Sequence, residues 1–396
     1  MEKETSFTLN NEISPIELNP VFVASDNIIS PLGFTTAENT ESLLKGVTGI
    51  SLHENSAFSP DPFWASMITE GKLAEKFSAY ADPALYTRFE QMVICSMKDA
   101  LSRCDLDTGS DRTLLILSST KGNIDLLDHT TGSRFENDRI YLWHTAGIIQ
   151  RFFGLKKTPL VVSNACISGV LALIIGSRLI RRGNYDHVII AGADLVTEFV
   201  LSGFNSFKSL SPGPCKPFDK DRAGLSLGEA AGTVVLTSKP GIIERKTEIS
   251  VGPGFSSNDA NHISGPSRTG EGLYIAIRRT LEKAVSSVDC ISAHGTATPY
   301  NDEMESIAIN RAGLQQVPVN SLKGYWGHTL GAAGVIESIA SVFSLRENTL
   351  INTLGFASPG VSQAINIIKK TKQAELNSCL KIASVFGGCN ASVLFK

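Results

Sequence analysis

The feature that most constrains this chain is a series of short, mainly apolar runs rich in β-branched residues. They lie at 21–24, 114–118, 160–163, 187–192, 233–236, 249–251, 290–292 and 382–385. Alternating polar and apolar residues mark a strand with one wet face. Continuous apolar runs mark strands covered on both faces. Helical patterns at 89–104, 167–182, 270–288 and 331–346 separate these runs. Strands alternating with helices predict a layered α/β architecture. Residues 1 to about 18 read as a polar lead-in, and 209–223 as an ordered loop rich in proline, glycine and charge.

At 396 residues the chain can bury a large core. Charged residues make up 19% and hydrophobic ones 42%, which excludes a disordered tail. The net charge of -3 argues against a general nucleic-acid binder. No apolar run is long enough to span a bilayer. The seven cysteines stand singly, with no CxxC pair, so neither a disulfide framework nor a zinc ribbon is expected. With a polar N-terminus lacking an apolar core, the expected compartment is the cytoplasm.

The two halves echo one another. The run at 160–163 leads to Cys166 and then to an apolar helix ending in two arginines. The run at 317–320 leads through a glycine-containing loop to His328 and an apolar helix ending near Arg346. A duplication would place Cys166 and His328 at equivalent helix starts.

These helix starts carry chemistry. Cys166 lies in 163–169 (SNACISG) at a strand-to-helix turn. Unpaired N–H groups and the positive dipole end there favour a thiolate, although a buried structural thiol is the common alternative. His294 lies in an irregular loop, 292–299 (SAHGTATP). His328, in 323–334 (KGYWGHTLGAAG), sits where a helix N-terminus favours neutral imidazole, and Lys323 would add to that effect. Asp302 and Glu305 read as acids opening the next helix, or Glu305 as a buried partner of Lys323. The turn at 386–390 (FGGCN) offers backbone N–H groups to an oxyanion. Asp219, Asp221 and Arg222 suggest an ion-pair network. Zinc binding by Cys166, His294 and His328 has no short-spaced ligand pair to support it, and neither GxSxG nor a Walker A loop is present.

Taken together, the motifs resemble the β-ketoacyl-acyl-carrier-protein synthases, condensing enzymes with a Cys-His-His triad. They are 164–169 (NACISG), 218–224 (FDKDRAG), 228–232 (GEAAG), 294–299 (HGTATP), 323–334 and 386–390, with 30–33 (SPLG) also fitting. The resemblance implies a thiolase-like fold, in which two similar halves, 19–240 and 241–396, form a five-layer α/β/α/β/α sandwich. It implies that Cys166 accepts an acyl chain, with the N–H groups of Cys166 and Phe386 as the oxyanion hole. His294 and His328 would stabilise the enolate formed when malonyl-carrier protein loses carbon dioxide. Lys323 and Glu305 would organise the histidines, and Phe204, Thr296, Thr298 and Ser384 would contact substrate. Neither metal nor cofactor is implied.

The implied partner is acyl-carrier protein, with a homodimer or a heterodimer with a paralogue as the assembly. Carrier proteins are acidic, which makes Lys156, Lys157, Arg178, Arg181 and Arg182 candidates for docking. Phe199 and Phe207 are further candidates for the acyl pocket. Departures from the family pattern fall at Ser384 and Cys389, where phenylalanine and threonine are usual, and at Asn301, Tyr325 and Trp326. A small residue at 384 suggests a wider pocket, suited to a polyene or aryl chain, in a specialised synthase. The alternatives are a non-catalytic partner subunit and a degradative thiolase. The latter would need Cys389 beside Cys166.

Overall fold

The computed structural model describes residues 18–127, 134–243, 248–261, 265–284 and 287–396, so the lead-in at 1–17 lies outside the described residues. The apolar runs form two five-stranded sheets. The first contains β1 (Phe22–Ile29), β2 (Thr113–Ser118), β3 (Leu160–Val162), β4 (His187–Asp194) and β5 (Ala230–Thr237). The second contains β6 (Val251–Asn258), β7 (Cys290–Ser292), β8 (Val319–Asn320), β9 (Cys379–Ser384) and β10 (Cys389–Phe395).

The spatial orders are β1-β5-β4-β2-β3 and β6-β10-β9-β7-β8. Each sheet has two antiparallel pairings followed by two parallel ones. The same connectivity therefore occurs twice. The structure is the expected α/β thiolase-like fold. Layers follow from which face each side chain takes. On β2, Leu114 and Ile116 enter the central core, whereas Leu115 and Leu117 enter an outer core. This explains why the run is apolar throughout.

Helices α1 (Arg88–Leu101) and α2 (Leu142–Phe152) cover the outer face of the first sheet, burying Phe89, Met92 and Ile149. Helices α3 (Ser168–Arg181) and α7 (Ala333–Arg346) lie between the sheets, with Leu173, Val335 and Ile339 in one core. Between them in chain order come α4 (Glu198–Ser206), which flanks the site, and α5 (Glu271–Leu281) and α6 (Pro299–Arg311). Leu273, Ile277 and Met304 of α5 and α6 cover the second sheet from outside.

The two central helices meet at glycines. A Cβ on Gly169 would lie 2.7 Å from the Val335 nitrogen, and one on Gly334 would lie 2.5 Å from the Val170 nitrogen. Backbone thus packs on backbone, and any side chain there would push the helices apart.

Several expectations need correction. The run at 249–251 is only the start of a strand that extends to Asn258, and the turn expected at 386–390 leads directly into strand β10. Among the described residues, Asp219 and Arg222 form no ion pair with each other. Asp219 accepts N–H groups from Asp221, Ala357 and Ser358, while Arg222 donates to the carbonyls of Gly360 and Pro299. They tie loops together through backbone.

Candidate active site

Cys166 lies in the short link between β3 and α3. Ala165 adopts a left-handed φ of 43°, and the Asn164 N–H donates to Ser168 Oγ at 2.7 Å. The turn is therefore fixed on both sides of the sulfur. His328 approaches from the second half. Its N–H donates to the Ser226 carbonyl at 2.7 Å, and its own carbonyl accepts from Gly228 N–H at 3.1 Å. His328 Nε2 lies 2.9 Å from Cys166 Sγ. The His294 ring stands edge-on to His328, with centroids 5.1 Å apart. One ligand atom from each of the three residues lies within 4.8 Å of the others.

The helix crossing explains this meeting and refines the expected equivalence. Cys166 precedes Gly169 by three residues, but His328 precedes Gly334 by six. A turn of 3-10 helix at Leu330–Ala332 fills the difference. Counted from the glycines, the counterpart of Cys166 is Gly331. Its N–H is held at 2.6 Å by buried Asp194.

Burial sets the electrostatics. It pushes the Cys166 thiol up to about 12, outweighing the positive influence of Lys323 and Lys121. The sulfur is therefore a thiol at rest, contrary to the thiolate expected from its helix start alone. Burial, then Lys323 and His328, then Lys381, hold His294 well below its ordinary value. Burial, Lys323 and Lys381 do the same to His328. Two neutral imidazoles thus face a thiol. His328 Nε2 is placed to receive its proton.

Lys323 pairs with Glu337 on α7, not with Glu305. Glu337 also lies 2.7 Å from Lys381 Nζ on β9, and all three groups are buried. Glu305 instead fixes the His294 loop. It accepts the N–H groups of His294 at 2.7 Å and Gly295 at 2.6 Å, together with Asn301 Nδ2 at 2.8 Å. Burial and neighbouring Asp302 push Glu305 up to about 7. Burial likewise raises Asp302 to about 6, although its carboxylate accepts the Phe218 and Ala297 N–H groups. Sequence reasoning missed Glu337, Lys381 and Asp194. Their one signal was a charge inside an otherwise apolar run.

The three residues open into a cleft of about 390 Å³, which Phe204, Thr296, Thr298, Ser384 and Phe386 also line. Thr296 Oγ1 and Thr298 Oγ1 lie 2.9 Å apart. Phe386 follows β9 on a turn whose Gly387 and Gly388 take left-handed φ values. Its ring centroid lies 6.4 Å from Phe204 and 5.6 Å from Phe207, so these two phenylalanines do border the cleft. Phe199 is exposed and does not line it. Ser384 is buried, with Oγ 2.7 Å from Asn390 Oδ1. Tyr325 and Trp326 are buried anchors, donating to Asn352 and Asn39.

Other candidates fall away from the site. Cys389 Sγ accepts from Asn258 Nδ2 at 3.0 Å and does not line the cleft, so the arrangement a thiolase would need is not formed. Arg178 and Arg181 donate to the carbonyls of Gly254 and Gly252, and Lys157 pairs with Asp111. Of the five basic docking candidates, Lys156 and Arg182 are exposed without such ties in the described contacts.

Residues 18–240 match the family described as beta-ketoacyl synthase, N-terminal domain, and residues 249–357 match beta-ketoacyl synthase, C-terminal domain. The chain is 29% identical to 3-oxoacyl-[acyl-carrier-protein] synthase 2 of Vibrio cholerae, across 95% of this chain and 98% of that one. It is 34% identical to the Rhizobium meliloti protein of the same name, across 59% and 60%. Its fold matches the ishigamide ketosynthase/chain length factor with a TM-score of 0.85, at 24% identity over 96% and 99%. It matches the ketosynthase ApeO, solved with its chain length factor ApeC from Xenorhabdus doucetiae, with a TM-score of 0.80, at 25% identity over 95% and 98%. This chain belongs to the β-ketoacyl synthase family.

Proposed function

We propose that the chain is an elongating β-ketoacyl-acyl-carrier-protein synthase, with Cys166 as nucleophile. The observation that carries this reading is the 2.9 Å approach of His328 Nε2 to Cys166 Sγ, with His294 in the same cleft. The Cys166 thiol attacks an acyl thioester, its proton passes by way of His328 to the departing carrier thiolate, and an acyl-enzyme forms. N–H groups of Cys166 and Phe386 hold the oxyanion. Malonyl-carrier protein then binds. Its C–CO2 bond breaks, and the electron pair becomes an enolate whose oxygen accepts hydrogen bonds from neutral His294 and His328. The carbanion attacks the acyl carbon, the C–S bond to Cys166 breaks, and the sulfur regains a proton from solvent.

Glu305 positions His294 through its backbone, and Lys323 keeps positive charge behind both rings. Thr296, Thr298, Phe204 and Ser384 contact the carrier arm and acyl chain. Acyl-carrier protein is the partner, and the assembly is a dimer with itself or with a paralogue. The relatives' printed names support the carrier protein and a ketosynthase–chain-length-factor assembly. A small residue at 384 suits a polyene or aryl chain. All seven cysteines are free, which supports a reducing compartment such as the cytoplasm. Among the described residues, no helix is long and apolar enough to cross a membrane.

The test is a two-stage assay. His294→Ala should retain acylation of Cys166 but lose decarboxylation of malonyl-carrier protein by at least ~100-fold, whereas His328→Ala, which also removes the proton acceptor beside the sulfur, should lose both. Equal decarboxylation in wild type and both variants would refute the assigned roles.

A further inference from the structure

Lys381 has no part in the reaction just described, yet it is among the most buried cations of the chain. It lies on β9, with no measurable exposure. Its Nζ donates to the carbonyls of Ser292 at 3.2 Å and Ala293 at 3.1 Å, and lies 2.7 Å from Glu337 Oε2. Two carbonyls accept hydrogen bonds from this nitrogen, and the adjacent carboxylate forms an ion pair that favours the ammonium. Ser292 and Ala293 are the two residues immediately before His294. Glu337 is shared with Lys323, so two lysines face one carboxylate and the cluster carries a net positive charge.

We propose that Lys381 is a positioning residue, whose ammonium clamps the backbone carrying His294 and keeps an unneutralised positive charge behind both imidazoles. The proposal deepens the synthase reading and rests on it. The other charged or titratable groups around the two histidines are Lys323, Glu337, Glu305, Asp302, Cys166, Asp194 and Lys121. Glu337 is held ionised by the two lysines despite burial. It offsets one lysine and leaves the other uncompensated. The role of that charge is to keep both rings unprotonated, and so able to donate a hydrogen bond to an enolate, when the medium turns mildly acidic.

The test uses the full chain with Lys381→Met and Lys381→Gln. The first removes charge and clamp, and the second keeps donors without charge. Histidine ring nitrogens, labelled with 15N, are titrated by NMR, with His294→Asn and His328→Asn for assignment. This readout needs no acyl donor, so it holds even if the synthase reading fails in the acylation assay. In both variants the titration midpoints of His294 and His328 should rise by about one pH unit or more. The acid limb of the condensation rate should move up by the same amount. Lys381→Gln should recover more of kcat than Lys381→Met. Unchanged midpoints and an unchanged acid limb would overturn the proposal. Loss of the fold in both variants would also overturn it, making Lys381 a structural residue.

Discussion

The two halves of the molecule share one strand order but end their third strands differently. In the first half, five residues link β3 to α3, and they present Cys166. In the second, twelve residues link β8 to α7, and they bury Lys323, Tyr325, Trp326 and His328. The helices differ as well. Three residues after the crossing glycine, α3 has Ala172 and α7 has Glu337. The repeated frame sets where the two helix starts meet. The longer second link supplies Lys323, whose charge adds to burial in holding both histidines unprotonated. One half contributes the thiol, and the other both imidazoles and the lysines behind them.

The largest expected loss of activity is at the shared crossing. Gly334→Ala should cost about 1–3 kcal/mol by overpacking and separate Cys166 from His328, abolishing acylation. Denaturant unfolding and an acylation assay measure both effects, and an active, stable variant would mean the crossing does not set the site.

Next is the charge unique to the second half. Glu337→Gln leaves two buried lysines without an anion and should destabilise the chain by about 3–5 kcal/mol. Ala172→Ser, its counterpart in the first half, should cost less than about 1.5 kcal/mol. Comparable losses in the two variants would mean that the halves do not differ as described.

Glu305 and Asp302 sharpen the contrast through pH. Both carboxyls are raised in the folded state, to about 7 and about 6. The folded chain therefore holds protons that the unfolded chain releases. Their stabilising contribution is complete below the ordinary carboxylate range, near pH 4, and is lost as pH rises to about 7. For Glu305 it amounts to about 3 kcal/mol. The melting temperature should fall across that window, and Glu305→Gln should flatten the fall. A slope unchanged in that variant would contradict the raised value. The smallest effect is expected at Cys389→Ser, which should leave acylation within a factor of two, because Cys389 lies outside the cleft.

The residues that present chemistry were legible because they sit in turns, where small residues and glycine leave a local signature. Cys166, His294 and His328 all converge, and the two-sheet frame follows from runs such as 114–118 that feed cores on both faces. Strand β10 is hidden in the sequence because it follows directly on the Gly387–Gly388 turn and is buried on both faces, so it lacks a half-exposed alternation. Glu337 and Lys381 were missed for a different reason. A single charge in an apolar run looks the same whether it meets solvent or a buried counter-ion, and only the fold brings α7 and β9 together. The error in pairing Lys323 with Glu305 has the same origin, since the true partner lies on a different element.

The central claim is that Cys166 carries the acyl group. Intact-protein mass spectrometry tests it most directly. Wild type and Cys166→Ala are incubated with a panel of acyl-carrier proteins and then with malonyl-carrier protein. The account predicts an acyl adduct on wild type alone, discharged by malonyl-carrier protein, with the preferred donor revealing the chain. No adduct from any donor on folded wild type, or an equal adduct on Cys166→Ala, would contradict it.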